Sequence, residues 1–185
     1  MDCSILIGRQ LEALTGLAHS LARTDGTAAS SIAYRELRDR AAAHCQVREQ
    51  IVLPALQRGG WKGLNNEALA AHMELKRALA ALCICKPGDG DFSPVLRNFS
   101  NALEQQRLAD KLWIVPSLRR LTSEADRRRL CEEIEQLYES LIPPPEHYAE
   151  VSAFRKPGEA MVEDATVVLS SLGPPARPFQ PGPVE

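Results

Sequence analysis

The chain is poor in the features that most often announce a function. Only 5% of its 185 residues are aromatic, and β-branched residues form no extended run, which argues against a strand-rich fold. Charge is nearly balanced, with 24 Asp and Glu against 22 Lys and Arg. No basic face is expected, which excludes nucleic acid as the main partner. The longest apolar run, Ala78 to Cys85, is less than half a membrane span, and the N-terminus has no basic stretch before an apolar one. No membrane segment or signal peptide is therefore expected, and the expected location is cytoplasmic. The five cysteines (Cys3, Cys45, Cys83, Cys85 and Cys131) are odd in number and lack Cys-x-x-Cys spacing. That excludes a disulfide framework and a structural zinc site. A phosphate loop, a dinucleotide fingerprint and a nucleophile–base–acid set are all missing too, so an ordinary enzyme is not expected.

What the sequence does contain is helix. Ile7, Leu11, Leu14 and Leu17 recur at helical spacing in a first segment from about Ile5 to Ala22. A second is expected after Ser30 or Ser31, running to about Gln57 and stopped by Gly59-Gly60. Asn65 or Asn66 caps a third, which runs to about Cys83 and is closed by the turn sequence Lys86 to Gly90. Ser93-Pro94 reads as a cap followed by proline at the first helical position, opening a fourth that runs to about Leu121. Thr122 or Ser123 opens a fifth, ending at Leu141 before Pro143-Pro144-Pro145. These segments predict an all-α fold: an up-down-up-down four-helix bundle over residues 1–142, with the fifth helix alongside. Residues 143–185 form a proline-rich extension. Its end, Gly173 to Glu185, is expected to be disordered, with a short helix possible between about Gly158 and Leu172.

The informative feature is an internal repeat. His44-Cys-Gln-Val-Arg-Glu-Gln-Ile-Val-Leu-Pro-Ala-Leu56 in the second segment aligns with Gln106-Arg-Leu-Ala-Asp-Lys-Leu-Trp-Ile-Val-Pro-Ser-Leu118 in the fourth. Each copy carries a polar residue first, another four positions on, and an apolar triplet before a proline at the eleventh position. Proline inside a helix costs on the order of 3 kcal/mol, so two at matched positions imply related halves whose helices kink or end alike.

Residues four apart share a helix face. His44 and Arg48 therefore pair on one side of the bundle, and Gln106 and Asp110 pair at the equivalent place opposite. Val47, Ile51 and Ala55 accompany His44, which directs it inward, and Leu69 and Leu75 flank His72 likewise. Inward histidines plus a carboxylate make the skeleton of a bundle-core site for iron, manganese or zinc.

The doubled motif, with polar residues four apart and a trailing proline, resembles the His-x-x-x-(Glu/Asp) pattern of the hemerythrin-like, HHE cation-binding family over roughly residues 3 to 140. The resemblance implies a four-helix bundle around non-haem iron that binds or senses oxygen, nitric oxide or peroxide. Carried over residue by residue, it gives His44, His72 and Asp110 as metal ligands. Arg48, Gln106 and Gln10 occupy the other ligand positions. An always-charged guanidinium in place of a carboxylate repels a divalent cation and needs a buried partner, for which Asp110 is the candidate. Two functions follow from the resemblance. One is a reduced iron site open to a small diatomic ligand or peroxide, with Cys45 nearby as a redox group. The other is a metal-free relative that acts as a protein-interaction or regulatory module.

Of the remaining residues, His19 is expected to be a polar residue of a last helical turn and His147 a surface residue. Trp61 and Trp113 are expected as packing anchors, and Arg127-Arg128-Arg129 as a solvated face with ion pairs to neighbouring acids.

Overall fold

The computed structural model describes residues 3–24, 28–60, 66–144, 146 and 148, and among them the regular elements are all helical. Helix α1 (Cys3–Ala22) buries Ile7, Leu11, Leu14, Ala18 and Leu21 along one stripe. The next helix starts at Ala28, ahead of the serines that read as its cap. It runs as α2 (Ala28–Val47), a π-helical turn at Arg48–Val52, and α3 (Leu53–Arg58). Gly60 then takes a φ of 85° that other residues seldom adopt, and the rod ends.

Helix α4 (Asn66–Ile84) is followed by the Lys86–Gly90 turn, in which the Asp89 carboxylate accepts from the Lys86 N–H. The rod after it consists of α5 (Phe92–Ala109), a second π turn at Asp110–Ile114, and α6 (Val115–Leu121). It opens two residues earlier than Ser93-Pro94 implied. Asp91 stands at the cap position, and Pro94 lies in the first turn, where its missing N–H costs nothing. Helix α7 (Glu124–Leu141) is capped by Ser123, whose hydroxyl accepts from the Asp126 N–H. The extension beyond Tyr148, Trp61 and His147, for which the sequence carries expectations, lie outside the described residues.

The prolines of the repeat do not end their helices, since α-helical residues follow each of them. Pro54 and Pro116 each sit second in the α-helical segment that follows a π turn. A proline ring collides with the carbonyl four residues before it and offers no N–H to that carbonyl. The chain widens just ahead of each: the Leu53 N–H reaches back five residues to the Arg48 carbonyl, and the Val115 N–H does the same to Asp110. The two copies solve the same problem at the same position.

Helix α1 packs on α2 and α5, α4 packs on α2 and α5, and α7 lies against α1 and α2. Two apolar clusters fill the space inside. One gathers Leu11 to Leu21 of α1, Tyr34 to Cys45 of α2, Leu75 to Cys83 of α4 and Phe92 to Leu103 of α5. The other is built from Cys3 and Ile7, residues on either side of the proline in both repeat copies (Val47 to Leu56, and Ile114 with Leu118), Ala68, and Leu130, Cys131 and Ile134 of α7. Along each long rod the two clusters are separated by polar positions. Among the described residues no helix is long and apolar enough to cross a membrane.

A buried polar layer as the candidate functional site

Gln10 of α1, His44 of α2, Arg48 of the first π turn, His72 of α4, Gln106 of α5 and Asp110 of the second π turn are all buried. They occupy the seam between the two apolar clusters. Every position named from the repeat thus meets in one layer, including the three that replace the expected ligands.

Arg48 is the largest fully buried side chain of the described residues, at 0% exposure. Its Nη1 donates to Asp110 Oδ1 at 2.7 Å and to Oδ2 at 2.8 Å. Gln106 Nε2 adds a 2.8 Å hydrogen bond to Oδ1. The ion pair anticipated from the sequence is therefore formed, and it joins the two copies of the repeat 62 residues apart. His44 donates from Nδ1 to Gln10 Oε1 at 2.9 Å. Burial, then the charge of Arg48, pushes the imidazole well below its usual range, so it is neutral and Nε2 keeps its lone pair.

One carboxylate in the layer's neighbourhood escapes the reading based on four-residue spacing. Glu49 follows Arg48 around the π turn and faces α4, where its Oε1 accepts from His72 Nε2 at 3.0 Å and from Lys76 Nζ at 2.6 Å. Burial opposes ionisation of Glu49, but those two donors outweigh it and hold its carboxyl below the usual range. His72 is lowered by burial, against the Glu49 contact that raises it. A usable signal was present: Lys76 lies one turn beyond His72, so a carboxylate able to reach one can reach both.

Within this layer, six buried polar atoms have no hydrogen-bond partner among the described residues. Arg48 contributes Nε and Nη2, and the others are Gln10 Nε2, Gln106 Oε1, His44 Nε2 and His72 Nδ1.

As a metal centre this donor set does not fit. Both oxygens of Asp110 are taken by a guanidinium. A unit positive charge 4 Å away opposes each charge of a cation by about 4 kcal/mol at an effective dielectric near 20. Among the described residues, no group of three His, Cys, Asp or Glu side chains is arranged to hold a metal ion. Cys45 is fully buried, and burial pushes its thiol up to about 12, so it is a protonated core group.

Outside the layer, Trp113 corrects its expected role. It is 37% exposed on the second π turn beside exposed Leu112, and does not anchor the core. His19 lies in the last turn of α1, as expected. Arg128 and Arg129 pair with Glu124, Asp126 and Glu133, whereas Arg127 donates to the Thr122 carbonyl at the end of α6. Comparison with protein-family models, curated proteins and solved structures yields no match.

Proposed function

We propose that the chain is a metal-free four-helix bundle of up-down-up-down type, hemerythrin-like in its doubled motif, which acts as a protein-interaction or regulatory module. The observation that carries this reading is the Arg48–Asp110 pair. A cation and an anion of the protein itself bridge the two halves at the positions where the family pattern places metal ligands. The buried thiols support a non-catalytic role, since Cys45 and Cys83, with its thiol pushed up to about 11, carry no thiolate at neutral pH.

One feature speaks for the competing reading of a reduced iron site that binds oxygen, nitric oxide or peroxide. His44 Nε2 and His72 Nδ1 are open nitrogen positions on neutral rings. Using them together with Asp110 requires Arg48 to release its partner. Elemental analysis and an absorbance spectrum of tag-free protein separate the two readings. The metal-free bundle is colourless, holds iron, manganese and zinc well below one equivalent after anaerobic ferrous loading, and keeps its melting midpoint in chelator. Stoichiometric metal, or a midpoint lowered by several degrees in chelator, overturns it.

A further inference from the structure

A guanidinium has two hydrogen-bonding edges, and in Arg48 only Nη1 is engaged by protein. Nε–H and the adjacent N–H of Nη2 form a parallel fork whose spacing matches the two oxygens of a carboxyl group. Both atoms are fully buried and unpartnered among the described residues. Leaving such donors unmet is costly, most of all on a charged group. The layer also holds an unpartnered donor, Gln10 Nε2, and unpartnered acceptors at His44 Nε2, His72 Nδ1 and Gln106 Oε1. His44 stands one turn before Arg48 on the same rod, and His72 meets Glu49, the residue after Arg48, which puts the three in one neighbourhood.

We propose that this layer is a binding site for a small carboxylic acid of formic-acid size, seated with its two oxygens on the Nε–Nη2 fork of Arg48. The charges already present decide the form of the guest. Asp110 offsets Arg48 and Glu49 offsets Lys76, so a bare anion would leave the buried layer with a net charge. The uncharged acid avoids this, because its O–H has an acceptor waiting at His44 Nε2 or His72 Nδ1. No bond is made or broken: the acid enters with its proton and leaves with it. The two π turns, which hold Arg48 and Asp110, are the natural places for the local opening that admits it. The site rests on the metal-free reading of the core, and metal content measured on the same sample distinguishes the failure of one from that of the other.

The test uses the full chain and sodium formate as the probe, with sodium chloride at equal ionic strength as the control. Saturable binding is followed by the nitrogen-15 resonance of the Arg48 Nε–H and by the melting midpoint. Formate is expected to shift that resonance and raise the midpoint where chloride does neither. The apparent dissociation constant should fall about tenfold for each unit decrease in pH, as one proton accompanies each guest. Arg48→Lys keeps a cation for Asp110 but removes the fork, and should abolish the response. If that variant does not fold, the Arg48 Nε–H resonance of the unaltered chain still decides. A metal-free sample in which formate leaves that resonance unmoved overturns the proposal, as does binding independent of pH. A sample that carries stoichiometric metal overturns the metal-free reading instead.

Discussion

At the residue scale, a single buried guanidinium organises the core. Removing one member of a buried ion pair strands the other, which typically costs about 3–5 kcal/mol, whereas replacing both by apolar residues of similar volume is often neutral or stabilising by about 1–4 kcal/mol. Asp110→Asn is therefore expected to lose several kcal/mol in urea unfolding at pH 7, and Arg48→Met combined with Asp110→Leu to lose far less. A double variant as damaged as the single one would show that the pair's hydrogen bonds, and not the stranded charge, hold the layer together.

The histidines add a dependence on acid. Both are lowered in the fold, so the unfolded chain binds protons that the native chain refuses. Their penalty is absent above the ordinary histidine value near 6.5. It grows as pH falls below that value, by up to about 1.4 kcal/mol per unit for each residue until the folded-state value is reached. Glu49, held low by His72 and Lys76, adds a loss of the same sign below its ordinary value of 4.5. Urea midpoints measured at pH 7.5 and pH 5.5 should fall steeply, and His44→Asn with His72→Asn should flatten that slope.

At the element scale, the π turns set the phase of everything after them. Val52, Ala55 and Leu56 of one copy and Ile114, Ser117 and Leu118 of the other are buried at matching positions, from the last residue of each widened turn onward. The ends of the two copies also meet. A Cβ on Gly59, which closes α3, would stand 2.8 Å from Leu121 Cβ and 3.1 Å from the Leu121 carbonyl at the end of α6. Gly59→Ala is expected to cost about 1–3 kcal/mol by overpacking. Gly16, within α1, has nothing within 4 Å of its would-be Cβ, and Gly16→Ala should stabilise by about 0.5–1 kcal/mol through helix propensity. Chemical denaturation of the pair reads both signs in one experiment, and equal effects would contradict the close approach of α3 and α6.

The positions of these elements were legible because each rests on local signals: apolar spacing, glycine stops and the Ser123 cap. The nature of the break at each proline was not. Pro54 and Pro116 showed that the α ladder had to be disturbed, but a kink, an end and a widened turn all relieve the same clash. Burial of the segments beyond chose the turn that keeps the rod continuous. The exposed Trp113 was misread for a related reason, since its size suggested burial while its register within the second π turn placed it outward.

At the scale of the whole molecule, the two halves are alike in backbone and opposite in charge. His44 stands to Arg48 as Gln106 stands to Asp110, one turn before it and on the same face. Exchanging the charges, Arg48→Asp with Asp110→Arg, would place a carboxylate one turn after His44 and a guanidinium one turn after Gln106. The exchanged protein is expected to recover more than half of the stability that either single substitution loses, measured by urea unfolding. No recovery would mean that the halves are less equivalent than their matched π turns imply.

The sequence by itself determined the helical class, the boundaries within a few residues, the repeat and, Trp113 apart, which of the singled-out side chains point inward. All of these follow from the fixed rise and turn of a helix, which acts over four residues at a time. The repeat also pointed to Asp110 as the partner of Arg48, but only the tertiary structure decided the other meetings: Glu49 with His72 and Lys76 on α4, and Gln10 with His44. Such pairings depend on how rods distant in sequence are phased against one another. Here one extra residue in each of two π turns sets that phase, and four-residue spacing carries no trace of it.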